Sequence, residues 1–205
     1  MLMIKEGKNL CIMGGTFNPI HNGHLQMAYH CLEKFNFDLM LFIPTGDPPH
    51  KKDGAGNKYH RLAMTRLALD GHDRSEVSDI EVEREKKTYT FDTLNQLKKT
   101  YSDWNFYYII GADTLKELHT WYRFQDVARL TCFVLVGRKG TERSEQDCVV
   151  DYLCKQYGAS IIYADYIGPD ISSTDIREMV SNGESIDKYV PEIVDKYIKD
   201  HGLYK

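Results

Sequence analysis

Two histidines, His21 and His24, stand three residues apart just after a glycine pair, Gly14-Gly15, with Thr16, Phe17, Asn18, Pro19 and Ile20 between. Residues 9–13, ahead of the glycines, are mostly apolar, and Leu25, Ala28, Leu32 and Phe35 recur at helical spacing from Asn22 onward. The segment therefore predicts a buried strand, a tight loop and a helix. Glycine lets backbone N–H groups close on an anion with no Cβ in the way. A helix start turns unpaired N–H groups and the positive end of its dipole on the same spot. Two imidazoles on that first turn can donate hydrogen bonds to phosphoryl oxygens as charge shifts during a transfer. Gly-Gly alone would be an ordinary turn. The histidine pair behind a buried strand makes the segment a phosphate site.

A second segment, Ile171-Ser172-Ser173-Thr174-Asp175-Ile176-Arg177, has the same logic. Ser173 and Thr174 suit a helix cap, and Arg177, one turn inside, can reach back to an anion bound there. The same residues also make a well-capped amphipathic helix with no ligand at all. Other phosphate and metal signatures are missing from the sequence. Neither G-x-x-x-x-G-K-S/T nor G-x-G-x-x-G occurs, which sets aside a P-loop and a dinucleotide redox fold. Zinc on His21 and His24 would need a third ligand, and no H-E-x-x-H or nearby Cys/His cluster supplies one.

The elements that must position these loops alternate. Strands are predicted at residues 9–13, 39–43, 77–82, 105–110, 131–136 and, weakly, 161–163. Helices are predicted from Asn22, over 59–69, from an N-cap at Thr90 to about Tyr101, and from near Ser173 and Pro191. A polar loop rich in proline and glycine runs over 45–57. Such alternation predicts one doubly wound α/β domain over 1–205, whose ligands sit beyond the carboxyl ends of the strands. A composition of 42% hydrophobic and 27% charged residues suits one substantial core, and a net charge of -4 disfavours nucleic acid as a partner. Five cysteines without a close pair favour reduced thiols. No apolar run long enough to span a membrane occurs, so a soluble cytoplasmic protein is expected.

The loop GGTFNPIHNGH together with ISSTDIR resembles the paired signature of the nucleotidylyltransferase superfamily. TYTFDT at 88–93, Gly111-Ala112-Asp113, Trp121-Tyr122 and the tail motifs VPEIVDKYI and GLY narrow the resemblance to bacterial nicotinate-nucleotide adenylyltransferases. The resemblance implies a Rossmann-like, mostly parallel sheet. It also implies transfer of an adenylyl group from ATP, with magnesium on its phosphates, to nicotinate mononucleotide. By the same resemblance, His21, His24 and Arg177 act on the reacting phosphates. Gly14, Gly15, Thr16, Phe17, Lys51, Gly111, Ser173 and Thr174 would bind ATP. Thr90, Asp113, Trp121 and Tyr122 would bind the second substrate. Lys51 equally suits a solvated loop tip, Asp113 a plain N-cap, and Trp121 a core aromatic. Asn18 replaces an aspartate common in the family, a change expected to touch the loop's hydrogen bonds rather than activity. Rival readings are a relative acting on nicotinamide mononucleotide or phosphopantetheine, and a nucleotide-binding sensor without turnover.

Overall fold

A computed structural model describes residues 4–46, 57–137, 143–169 and 171–205. Six strands form one sheet: β1 (Asn9–Gly15), β2 (Leu39–Pro44), β3 (Ser75–Val77), β4 (Asn105–Gly111), β5 (Cys132–Gly137) and β6 (Ser160–Ile167). Their order is β3-β2-β1-β4-β5-β6, and every neighbouring pair is parallel. This is the doubly wound order, and it reverses direction between β1 and β4. A crevice opens at that point beyond the strand ends, where Gly14-Gly15 and Gly111 stand.

The central strands read as apolar runs because both faces of the sheet are covered. Leu10 and Ile12 of β1 face one layer while Cys11 and Met13 face the other. The layer on the Cys11 side is built by α1 (Asn22–Lys34), α2 (Lys58–Leu69), α7 (Ser173–Ser181) and α8 (Glu192–Asp200). On the Leu10 side lie α3 (Thr90–Thr100), α4 (Ala112–Glu117), α5 (Phe124–Leu130) and α6 (Arg143–Tyr157). Burying each Leu, Ile or Phe side chain is worth about 1.5–3 kcal/mol, so the sheet is a rigid floor for the loops above it.

Several expectations need correction. The strand expected at 77–82 is Ser75–Val77, and the chain then turns, with the Ser78 N–H donating to Phe42 O. Ile80 and Val82, whose apolar character suggested a strand, belong to that turn instead, where Glu81 and Val82 are buried side by side. There the backbone of Gly46 comes so close that a Cβ would lie 2.1 Å from the Glu81 carbonyl oxygen. Helices α4, α5 and α6 were not placed from the sequence, although Asp113 was weighed as the cap of a following helix; the N-cap of α4 is Gly111, with Asp113 in its first turn. The first two of these helices have 6 and 7 residues, too few to show a period. In α6 the buried positions are Gln146 and Leu153, which make no apolar stripe. Thr90 opens α3 rather than capping it, because Tyr89 is the N-cap. Likewise the cap of α7 is Ser172, in a reciprocal pair with Asp175, rather than Ser173 or Thr174. Phe35 is the C-cap of α1 and lies just outside the helix.

Candidate active site

The loop from Gly14 to His24 is held by its carbonyls. Arg61 Nη1 donates to Thr16 O at 2.6 Å, Arg177 Nη1 to Asn18 O at 2.9 Å, and Ser173 Oγ to Pro19 O at 2.9 Å. A loop that is to face an anion must turn its oxygens away from it, and three side chains from α2 and α7 do so here. Phe17 sits at φ 48, a left-handed conformation that a non-glycine residue keeps only when its surroundings demand it. The glycines have a reason other than phosphate approach. A Cβ on Gly14 would lie 2.1 Å from the Tyr108 hydroxyl, and one on Gly15 would lie 2.7 Å from the Phe17 ring. Gly111, by contrast, faces open space, with nothing within 4 Å of where a Cβ would stand.

The two imidazoles stack with their centroids 3.7 Å apart. His21 is the N-cap of α1, and its backbone N–H donates to His24 Nδ1 at 3.3 Å. That bond makes Nδ1 of His24 an acceptor and leaves Nε2 to carry its proton. His21 Nδ1 is buried and makes no hydrogen bond among the described residues. Burial lowers the His21 pKa to about 4, against a weaker pull upward from Asp175. Burial, helped by His21, also holds His24 well below the usual imidazole range. Both rings are therefore neutral at pH 7 and can each offer one N–H donor without carrying charge.

Around this pair lies a cavity of about 290 Å³ whose wall includes His21, His24, Gly111, Asp113, Ser172 and Ser173. The two sequence motifs thus meet Gly111-Ala112-Asp113 across the β1/β4 crevice. A smaller hollow of about 160 Å³ adjoins it, lined by Gly14, Tyr108, Gly111, Thr114 and Trp121, and both hollows share Gly111 and Met27. Trp121 is held edge-on by Tyr108 at 5.8 Å and Phe133 at 6.4 Å. A larger hollow of about 510 Å³ between β3 and α3 contains no histidine and none of the motif residues.

A family model for cytidylyltransferase-like proteins matches residues 12–179, from the middle of β1 into α7. A protein of Thermoanaerobacter sp. (strain X514), named "Probable nicotinate-nucleotide adenylyltransferase", is 42% identical over 198 residues, which is 96% of this chain and 94% of its own length. This chain belongs to the nicotinate-nucleotide adenylyltransferase family. Namesakes from Synechococcus sp. (strain JA-3-3Ab) and Clostridium tetani are 39% and 36% identical, each covering 97% of the chain and 96% and 100% of their own lengths. The fold also matches the Plasmodium falciparum nicotinic acid mononucleotide adenylyltransferase complexed with NaAD. That match has a TM-score of 0.76 at 20% identity and covers 97% of this chain and 98% of that one.

For a member of the nicotinate-nucleotide adenylyltransferase family, the TYTFDT stretch has a structural logic beyond its helix start. Thr93 Oγ1 donates to buried Glu81 at 2.8 Å, and Arg84 reaches Thr93 Oγ1 at 3.1 Å. Burial raises the Glu81 pKa while Thr93, Arg84, Thr88 and Gly46 pull it back. The Thr90 side chain hydrogen-bonds the Tyr108 hydroxyl, whose pKa burial raises. Tyr122 is 53% exposed and packs on Tyr89 at 4.7 Å. Lys51 lies outside the described residues.

Arg61, Tyr108 and Glu81 were not anticipated, and Tyr204 was read only as part of the GLY tail motif. Arg61 is 1% exposed and also donates to Thr45 O at 2.6 Å and Gly46 O at 3.1 Å, tying the end of β2 to the histidine loop. A signal existed. Arg61, Thr65 and Ala68 share the buried stripe of α2, and an arginine in a helix's first turn opposes the dipole. Tyr204 Oη donates to Asn18 Oδ1 at 2.7 Å from the far end of the chain.

Proposed function

We propose that this protein transfers the adenylyl group of ATP to the phosphate of nicotinate mononucleotide, giving nicotinate adenine dinucleotide and pyrophosphate in NAD biosynthesis. The observation that carries the proposal is the meeting of the histidine cavity and the Trp121 hollow at Gly111 and Met27. Two substrates laid in adjoining hollows would have their phosphates together beside His21 and His24. The activity named for the relatives supports the same reaction.

A phosphate oxygen of the mononucleotide attacks the α-phosphorus of ATP in line. The new P–O bond forms as the bond to the β-phosphate breaks, and pyrophosphate leaves with the electron pair. No enzyme nucleophile is needed, so catalysis is positioning and charge stabilisation. His21 and His24 act as neutral donors to the α-phosphate, and Arg177 with Ser173 and Thr174 holds the outer phosphates. Gly14, Gly15, Thr16, Phe17 and Gly111 bind the ATP. Magnesium arrives with ATP as part of the substrate. Among the described residues no group of three His, Cys, Asp or Glu could hold an ion by itself. Asp113 binds a ribose hydroxyl.

Trp121 stacks on the pyridine ring, while backbone donors at Thr90 and Tyr122 take its carboxylate at the start of α3. A carboxamide would turn an NH₂ toward one of those donors. Leaving a buried group unpaired costs about 1–3 kcal/mol, or about a five- to 150-fold preference. The test is pyrophosphate release from ATP with nicotinate mononucleotide, nicotinamide mononucleotide and phosphopantetheine. At least about tenfold higher kcat/KM for nicotinate mononucleotide is expected. Equal use of the amide would overturn the substrate assignment, and no release with any of them would leave a nucleotide-binding sensor. Among the described residues no helix is long and apolar enough to cross a membrane, and the proposed location is the cytoplasm.

A further inference from the structure

Tyr204, the penultimate residue, is fixed in place by more than its neighbours in sequence. The chain leaves α8 at His201 and turns through Gly202 at φ 59, with Leu203 N–H donating to Ile198 O at 3.0 Å. Leu203 and Tyr204 then pack on the core layer that α1, α2, α7 and α8 share. Tyr204 itself has φ 66, a left-handed conformation that costs a side-chain-bearing residue energy and persists only where surroundings over-determine it. Its phenol is partly buried, which raises its pKa, and the facing charges are the guanidinium groups of Arg177 and Arg61, which lower it. The hydroxyl stays protonated and donates to Asn18 Oδ1.

Asn18 is itself 5% exposed and its carbonyl is taken by Arg177. It follows Phe17, the left-handed residue of the loop, and precedes Pro19, whose carbonyl is held by Ser173. The cytidylyltransferase-like match ends at residue 179, and Tyr204 stands beyond it in the GLY tail motif.

We propose that Tyr204 is a positioning residue for the proposed adenylyl transfer, fixing through Asn18 the backbone that carries His21 and His24. The reasoning rests on the function proposed above. Tyr204 lines neither the histidine cavity nor the Trp121 hollow, so its hydroxyl acts through the loop's geometry. A misplacement of about 1 Å at reacting groups can cost about a hundredfold in rate.

The experiment pairs turnover with hydrogen exchange, so the two readings can fail separately. Tyr204→Phe keeps the ring and removes the donor, Asn18→Leu removes the acceptor, and Asn18→Asp restores one. In the ligand-free protein, Tyr204→Phe should speed amide exchange of peptides within residues 14–24 about tenfold or more and leave the β4 and β5 peptides unchanged. In turnover, Tyr204→Phe and Asn18→Leu should each lower kcat about tenfold, with KM for ATP changed less than about threefold. The double variant should be no worse than the worse single one, and Asn18→Asp should keep wild-type kcat. Unchanged exchange at 14–24 would overturn the positioning role whether or not the protein turns over. Losses that multiply in the double variant, or a kcat for Tyr204→Phe within twofold of wild type, would do the same.

Discussion

Arg61→Lys should destabilise the fold and slow turnover together, although it conserves charge. The guanidinium spans two loops, with Nη1 on Thr16 O at 2.6 Å and Nη2 on Thr45 O at 2.6 Å. A lysine ammonium is a single point on a flexible stem and can serve one of those carbonyls but not both. The other is left buried without its donor, at a cost of about 1–3 kcal/mol. For a domain of this size each kcal/mol shifts Tm by about 2–4 °C, so the melting temperature should fall by about 2–12 °C. Loosening Thr16 also frees the segment that leads to His21, and kcat for pyrophosphate release should fall about tenfold. Arg61→Met, which gives up both donors, should be worse on both measures. Thermal melts and steady-state kinetics on the same preparations make the comparison. If Arg61→Lys melts within 1 °C of wild type and keeps full kcat, the guanidinium is not the tie between the two loops, whatever the distances say.

Stability should fall in acid because the unfolded chain takes up protons on His21 that the folded one refuses. Its pKa drops from an ordinary 6.5 to about 4 on folding, so the contribution is complete above about pH 6.5 and lost as pH falls to about 4. That window amounts to about 3 kcal/mol for His21, with His24 adding in the same direction, and denaturant titrations at pH 7, 5.5 and 4.5 read it. His21→Ala should flatten the slope, and His21→Ala and His24→Ala should each cut kcat about a hundred- to a thousandfold with far less effect on ATP binding. A loss under about fivefold for both would show that neither imidazole meets the reacting phosphate. Arg177→Lys should raise KM for ATP and lower kcat, because its Nη1 holds Asn18 O while Nη2 holds Thr174 Oγ1. A lysine variant equal to wild type would make Arg177 a surface residue.

How much was legible in the sequence depends on where the chemistry lies. The central strands were readable because burial on both faces turns them into apolar runs, as in residues 39–43. His21, His24, Gly111, Asp113 and Ser173 line one cavity because each stands at a strand end or helix start that the same topology brings to one crevice. Arg61 and Tyr204 escaped for a different reason. Arg61 acts on main-chain carbonyls, which every residue type presents, so the accepting side carries no signature. Tyr204 acts across 186 positions, beyond any local pattern. Gly14 and Gly15 carry a second reason that the sequence does not show, the close approach of the Tyr108 hydroxyl and the Phe17 ring.

The carbonyls of the histidine loop are taken by Arg61 from α2 and by Arg177 and Ser173 from α7, and its Asn18 side chain by Tyr204 from the tail. The histidines are made early in synthesis and their supports late. A chain still emerging from the ribosome, complete through β6 but lacking α7, α8 and the tail, would carry both imidazoles on a loop with only one of its four ties. It could meet cellular ATP without holding the reacting groups in register. The proposed reacting groups are thus set in register only after residues 173–204 have followed the loop out of the ribosome and packed against it.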